Sequence, residues 1–178
     1  MKKAFVAFLV IALITISVGL ITAEDAKDDI AAYKSCKYCG MDRGMYSFSR
    51  MLIEYDDGTS AAFCSMHCAA VDLANSIDKT PKAIKVGDFN SKQLIDAEKA
   101  IWVVGGSKPG VMSKRGKWAF ADKMEAELFR KTNEGQLATF EETVKMAFED
   151  MHDDTKAIRD RRKMKRMKMT GPTPGAGR

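Results

Sequence analysis

The chain has 178 residues and a formal net charge of +5, which is enough length for one domain, or two small halves with a shared core, without cysteine staples. The charge is unevenly distributed along the chain. Residues 156–178 contain nine Lys or Arg residues and one acidic residue, Asp160, and so carry +8. Residues 1–23 carry +2, and residues 24–155 therefore carry −5. A chain of this length does not need disulfides to make up for a small hydrophobic core. We therefore expect the four cysteines to have a chemical role.

The N-terminus predicts export. Lys2 and Lys3 precede an uncharged apolar run over residues 4–21, which is followed by Thr22-Ala23 and an acidic segment. We predict that residues 1–23 are a signal peptide cleaved after Ala23 or, because the run is long enough to span a bilayer, an uncleaved membrane anchor. Either arrangement places the remainder in the periplasm of a bacterium, where thiols tend to pair and nucleic acid is not an expected partner.

The first half of the chain predicts a leader, two strands, a helix and a third strand. Residues 24–35 are polar and acidic, and we predict a flexible leader. Alternating polar and apolar residues favour a strand over 47–55, and Asp56-Asp57-Gly58-Thr59 favours a hairpin turn. The next elements are a strand over 60–63, a helix over 65–76 with Ser65 as N-cap and with Cys68, Val71 and Leu73 facing inward, and a strand over 82–86 after Pro81.

The second half repeats this order. Its elements are a strand over 100–104, a Gly-rich loop over 105–116, a strand over 117–120, a helix from Asp122 to Arg130 and a strand over 136–139. Superposing Phe63-Cys64-Ser65 on Phe120-Ala121-Asp122 aligns two ββαβ units, at about 36–90 and 98–140. We therefore predict an α+β domain over residues 36–150 that is built from duplicated ββαβ units.

The C-terminus predicts a helix and then a basic tail. The helix begins at Phe140, and its apolar face fades near His152. Residues 151–178 form a basic, Met-containing tail, which is too charged to pack and is predicted to be disordered at its Pro- and Gly-rich end. Such a run fits a solvated tail, and it also fits contact with anionic lipid or an acidic partner.

All four cysteines lie in two short sulfur motifs. These motifs are Cys36-Lys37-Tyr38-Cys39-Gly40-Met41 and Cys64-Ser65-Met66-His67-Cys68. Four thiolates at this spacing fit tetrahedral zinc in a structural or heavy-metal-sensing module. Alternatively, Cys36 with Cys39, or Cys64 with Cys68, could form a structural disulfide. The helical spacing of Cys64 and Cys68 does not favour the second pair, because residues four apart on a helix rarely have disulfide geometry.

The methionines beside the cysteines favour Cu(I). Thioethers select Cu(I), whereas zinc has no need of Met41. Cys39 with Met41, completed by Met112 or His67, would hold Cu(I) in an incomplete ligand set from which the ion is released readily. Met112 lies in the Gly-rich loop, where packing alone explains it poorly.

No enzyme is predicted from these residues. The chain has no Ser-His-Asp pattern and no phosphate-binding loop after a strand, and its two histidines are too few for a His-rich copper centre. A thiol-disulfide or organomercurial-cleaving enzyme is a further hypothesis from the Cys-x-x-Cys motif, but no acid is evident beside the thiols.

An ordered set of motifs from Cys36 to Glu142 resembles the NosL family, the accessory proteins of nitrous oxide reductase. The set comprises Cys36-x-x-Cys39-Gly40-Met41, the Asp57-Gly58 hairpin leading to Phe63, Gly110-Val111-Met112, Ala119-Phe120 before a helix, and Gly135-x-Leu137-x-Thr139-Phe140.

The resemblance implies a periplasmic Cu(I) chaperone of denitrification with a duplicated ββαβ fold akin to part of organomercurial lyase. It implies Cys39 and Met41 as leading ligands, followed by Met112, and as partner a copper-receiving periplasmic enzyme, here nitrous oxide reductase, or a copper transporter. The chain departs from the family in three features. It has no cysteine after its signal for the lipid anchor common in the family, and it adds the Cys64/Cys68 pair and the basic tail.

Overall fold

A computed structural model describes residues 25–169 of the protein. The predictions of a signal peptide or anchor over 1–23 and of a disordered end after residue 169 lie outside this range. In chain order the elements are α1 (Asp25–Ala32), β1 (Met51–Tyr55), β2 (Ser60–Phe63), α2 (Met66–Asn75), β3 (Pro81–Gly87), β4 (Leu94–Asp96), β5 (Ile101–Val104), β6 (Lys117–Phe120), α3 (Lys123–Asn133), β7 (Gln136–Ala138) and α4 (Phe140–Met169). No helix between residues 25 and 169 has the length and apolarity needed to cross a bilayer.

Two antiparallel sheets confirm the predicted α+β class and its internal repeat. The first sheet has the order β2-β1-β3-β4, and the second has the order β6-β5-β7. Each sheet places the first strand of its unit between the other two, with a helix inserted before the third strand. The short strand β4, which the sequence did not predict, extends the first sheet at its edge.

The central strand β1 is shorter than the predicted strand over 47–55. Residues 43–49 form turns, and the strand begins at Met51. Two side chains of the predicted strand instead donate hydrogen bonds to backbone carbonyl groups. Ser49 Oγ donates a hydrogen bond to the Cys64 carbonyl at 2.9 Å, and Arg50 Nη1 donates to the Ser47 carbonyl at 2.9 Å.

The leader that the sequence predicts to be flexible instead forms α1 over residues 25–32. Asp29 of α1 is buried and accepts from Arg43 Nη2 at 2.7 Å and from Arg50 Nη2 at 2.8 Å, and both arginines are fully buried. A buried guanidinium is costly without a counter-charge, and two of them need the carboxylate in a fixed place. The ion pairs with Arg43 and Arg50, which lie 14 and 21 residues further along the chain, therefore hold α1 in place.

The two sheets meet at Asp88, which follows β3. Asp88 and Ala119 form a parallel bridge, and Asp88 Oδ1 accepts from the Ala121 amide at 2.9 Å. Beside this bridge, Phe89 packs edge-on against Trp118 and Phe129. The second unit therefore continues the core of the first.

Helix α4 continues well beyond His152, near which the sequence predicts that its apolar face fades. It packs against α2 and runs to Met169 through most of the segment predicted as a basic tail. Its second half has a structural partner, because Asp154 is buried against the Gly-rich loop and accepts from the Lys114 amide at 2.8 Å. Ile158 and Arg161 line cavities beside the same loop.

Candidate metal centre

Cys36 and Cys39 lie on a tight loop before β1. The Cys36 amide donates to the Met41 carbonyl at 2.9 Å, and the Gly40 amide donates to the Cys36 carbonyl at 3.0 Å. Gly40 has a φ of +75°, a left-handed conformation that costs glycine little. The Lys37 amide donates to the Ala62 carbonyl at 2.9 Å, so the loop is fixed against β2.

Cys64 and Cys68 lie where β2 turns into α2. Cys64 directly follows the strand, and Cys68 lies in the first turn of the helix. Ser65 occupies the N-cap position as predicted, but its side chain makes no capping hydrogen bond. This junction brings the second pair of thiols to the edge strand against which the Cys-x-x-Cys loop docks.

The four cysteine sulfurs form one group, with every Sγ within 4.8 Å of the others. Cys39 Sγ lies 3.4 Å from Cys64 Sγ, and Cys64 Sγ lies 3.9 Å from Cys68 Sγ. All four thiols are free, so the disulfides considered from the sequence are not formed. Four sulfurs at the zinc–thiolate distance around a tetrahedral ion are about 3.8 Å apart. The group therefore has the spacing that a single four-coordinate soft ion requires.

The four thiols differ in burial. Cys36, Cys64 and Cys68 are 3%, 0% and 2% exposed, whereas Cys39 is partly exposed. Cys39 is therefore the member of the group that an incoming ligand reaches most easily.

The thiols affect one another's pKa values in different directions. Hydrogen bonds from the thiols of Cys39, Cys64 and Cys68 lower the pKa of Cys36 far below its usual value. For Cys39, the bond to Cys36 raises the pKa, but those to Cys64 and Cys68 lower it, to about 7 overall. Hydrogen bonding to Cys36, together with burial, raises the pKa of Cys64 and Cys68. A cation that binds all four sulfurs must displace the remaining protons.

Met41 and Met112 lie beside Cys39 on the wall of a cavity of about 220 Å³. The remaining wall comes from α4 and comprises Ile158, Arg161, Arg162 and Lys165. Both methionines also pack against the core cluster that contains the cysteines. The structure therefore brings together the Cys39, Met41 and Met112 side chains that the sequence singles out as ligands.

Met112 is held in an unfavourable backbone conformation. Its φ is +59°, which is uncommon for a residue with a side chain. The loop around it is attached to α4, since Arg115 Nη2 lies 2.7 Å from Asp150 Oδ1 and the Lys114 amide binds Asp154. Surrounding contacts thus fix the Met112 backbone despite its strain.

His67 lies on α2, its side chain is close to Asp154 of α4, and it is outside the group of four sulfurs. Its Nδ1 lies 3.5 Å from Asp154 Oδ2, and both side chains are buried. Burial lowers the pKa of His67, and the nearby Asp154 carboxylate opposes this effect in part. The ligand role proposed for His67 from the sequence stays a prediction.

Asp72 is a positioning residue that the sequence analysis missed. Its fully buried carboxylate accepts from Lys37 Nζ at 2.6 Å, from Tyr38 Oη at 2.7 Å and from Tyr55 Oη at 2.5 Å. Asp72 thereby connects α2 to the Cys-x-x-Cys loop and to β1. Its only sequence signal was an acidic residue within a mostly apolar helical stretch.

Comparison with known proteins identifies one family. The family model described as NosL matches residues 27–148. Among solved structures, the crystal structure of the copper chaperone NosL from Shewanella denitrificans matches with a TM-score of 0.49 and 24% identity, covering 69% of this chain and 94% of that chain. No curated protein matches the chain significantly.

Proposed function

Because this chain belongs to the NosL family, we propose that it is an exported Cu(I) chaperone that loads and releases copper through Cys39. NosL proteins are copper chaperones and not enzymes. The observation that carries the proposal is the group of four thiols, of which Cys39 alone is partly exposed and shares a cavity with two methionines. Thiolates and thioethers are the ligands that Cu(I) prefers.

Copper release occurs by ligand exchange at this cavity. A soft ligand of the recipient approaches Cys39, while the buried thiols stay with the protein. Met41 and Met112 are neutral, so their thioethers bind Cu(I) without the charge of a thiolate and give it up more readily. The Cys-x-x-Cys loop does not have to unfold, because Cys39 already lies on the cavity wall.

The recipient we propose is a copper-receiving enzyme of the periplasm, and nitrous oxide reductase is the first candidate. Family membership supports this choice, and a copper transporter is the alternative recipient. Attachment to the membrane through residues 4–21 would keep the chaperone near such partners.

Substitution of Cys39 tests the proposed function. In anaerobic competition with a chromophoric Cu(I) chelator, Cys39→Ser should bind Cu(I) more weakly than the unaltered protein, because it removes the sulfur that joins the thiol group to the cavity. Met45→Leu is the matched control, since Met45 is 73% exposed and lies outside the cavity walls. Equal affinity of Cys39→Ser and the unaltered protein would exclude the assignment.

A structural zinc site is the second candidate, favoured by the spacing of the four sulfurs. Metal analysis of protein purified without oxygen, followed by addition of Cu(I), separates the two functions. A copper chaperone should release any bound zinc as Cu(I) is added. Zinc that stays bound through several equivalents of Cu(I) would favour the structural role.

A further inference from the structure

We propose that the sulfur atoms form two adjacent Cu(I) positions, one buried and one at the surface, which share Cys39. This inference rests on the proposed function, and it adds the number of ions and their division between two ligand sets. The buried position comprises Cys36, Cys64 and Cys68 with Cys39. The surface position comprises Cys39, Met41 and Met112.

The number of sulfur ligands exceeds what one ion uses. Four thiols lie within 4.8 Å of one another, and two thioethers line the cavity that Cys39 also lines. A single soft ion in a tetrahedral site takes four of these six sulfurs. The two methionines would then have no metal to bind, although the backbone of Met112 is held in a strained conformation on the cavity wall.

The two positions differ in access. Three of the thiols are almost fully buried, so an ion among them is shielded from competing ligands. Met41, Met112 and Cys39 border the open cavity instead. Exchange with a recipient should therefore begin at the surface position.

Charge also makes the surface position the weaker one. Arg161, Arg162 and Lys165 lie on the same cavity wall and oppose a cation bound there. Thioethers contribute no negative charge to offset them. We therefore expect the buried position to fill first and the surface position to empty first.

Titration of the reduced, metal-free full chain with Cu(I), buffered by a chromophoric chelator, tests the two positions. The unaltered protein should bind two equivalents, the second at least tenfold more weakly than the first. Met41→Leu/Met112→Leu should bind one equivalent with the tighter affinity. Met45→Leu/Met124→Leu, which alters two exposed methionines, should still bind two.

The possible outcomes distinguish this inference from the proposed function. If the unaltered protein binds only one equivalent of Cu(I), the inference of two positions is overturned, and the proposed function as a copper chaperone still stands. Two equivalents of unchanged affinity in Met41→Leu/Met112→Leu also overturn them. No binding by the unaltered protein overturns both proposals.

A separate observation on charge supports a second inference: we infer that the basic face of α4 at the cavity docks an acidic partner. Eight Lys or Arg residues accompany the single Asp160 between Lys156 and Met169. Three of the basic residues, Arg161, Arg162 and Lys165, border the cavity that contains Cys39. We call Arg161, Arg162 and Lys165 the basic rim of the cavity. A recipient that reaches Cys39 must approach this rim.

A protein or peptide fits this surface better than a lipid does. Headgroups offer no soft ligand for Cu(I), whereas a recipient with Met, His or Cys flanked by Asp and Glu matches both the metal and the rim. Opposite charges at the rim steer the encounter, and salt screens this effect.

Copper transfer to two peptides tests the docking surface. The peptides share one Met- and His-containing core of equal Cu(I) affinity, and they differ in flanks of Asp and Glu or of Lys. At low salt, the Cu(I)-loaded full chain should transfer copper at least tenfold faster to the acidic peptide, and 0.5 M salt should remove most of the difference.

Charge reversal locates the surface. Arg161→Glu/Arg162→Glu/Lys165→Glu should invert the preference between the peptides. Lys82→Glu/Lys123→Glu/Lys131→Glu, the matched control at exposed positions away from the cavity, should keep it. Equal rates for the two peptides overturn the inference, and equal rates with rim-dependent binding to anionic lipid vesicles assign the face to a membrane instead.

Discussion

Gly40 shows how a single residue shapes the metal centre. Its positive φ closes the loop that contains Cys36, Cys39 and Met41, and no other atom lies within 4 Å of the position a Cβ would take. A side chain at Gly40 therefore meets no clash, and its only cost is the backbone conformation itself.

Gly40→Ala should lower the free energy of unfolding by about 1 kcal/mol, because alanine is strained at this positive φ. It should also weaken Cu(I) binding, because the loop that contains the cysteines shifts to relieve this strain. Gly58→Ala is a matched control, since Gly58 has a φ of +80° and equally open space but lies in the β1–β2 hairpin. It should lose similar stability and keep its Cu(I) affinity. Denaturant unfolding and chelator competition measure the two quantities, and equal affinities of the two variants would contradict the prediction.

At this scale the sequence predicted part of the site. Local motifs singled out Cys39 and Met41, and the Gly-rich loop singled out Met112. Sequence alone left open whether Met112 or the second cysteine pair lies beside Cys39. Cys64 lies 25 residues from Cys39, and their sulfurs meet only because the loop docks on β2.

At the scale of elements, buried charges attach the metal loop to its surroundings. Asp29 of α1 neutralises Arg43, which also donates from Nη1 to the Tyr33 carbonyl at 2.7 Å and from Nε to the Phe63 carbonyl at 3.2 Å. Arg43 lies just after Met41, so this network fixes the end of the Cys-x-x-Cys loop. Composition could not reveal it, because Asp29 lies in a polar segment typical of a flexible leader.

Asp29→Asn should destabilise the protein by about 3–5 kcal/mol, since it removes the buried carboxylate that pairs with Arg43 and Arg50. Chemical denaturation of the metal-free protein measures the loss. Asp78→Asn, at an exposed position outside the described ion pairs, serves as the control and should change stability little. A loss below 1 kcal/mol for Asp29→Asn would show that the network is not needed.

Asp72 gives the fold a defined acid sensitivity. Burial raises its pKa, but hydrogen bonds from Lys37, Tyr38 and Tyr55 outweigh this effect, and the pKa is lowered overall. A carboxyl group with a lowered folded-state pKa stabilises the fold above its unfolded pKa of about 4, and this contribution is lost as the pH falls through the folded-state pKa.

The difference in unfolding free energy between the unaltered protein and Asp72→Asn should therefore be largest above about pH 4 and should shrink at lower pH. Urea unfolding of the metal-free proteins at pH 6 and pH 3 measures it. A difference that is the same at both values would mean that Asp72 acts without its charge.

At the scale of the whole molecule, one of two similar units contains the thiols. Both units follow Phe with a turn into a helix, but Cys64-Ser65 in the first unit corresponds to Ala121-Asp122 in the second. The second unit contributes Met112 from the loop between β5 and β6. The repeat thus supplies thiols from one half and a thioether from the other.

The sequence predicted this repeat from strand alternation, turn residues and helix caps, which are local signals. Asp122 caps α3 as expected and accepts from the Glu125 amide at 3.0 Å. The length of α4 was not predicted, because a basic run has no apolar stripe. Its place over the cavity depends on contacts with the Gly-rich loop that only the folded chain provides.

X-ray absorption at the copper edge of the Cu(I)-loaded protein tests the central claim most directly. The claim is that the cysteine group and the cavity methionines bind copper. The spectrum should therefore show sulfur neighbours only, and Cys39→Ser should bind copper more weakly and with fewer sulfur neighbours. A copper environment dominated by nitrogen or oxygen, unchanged in Cys39→Ser, would contradict the account.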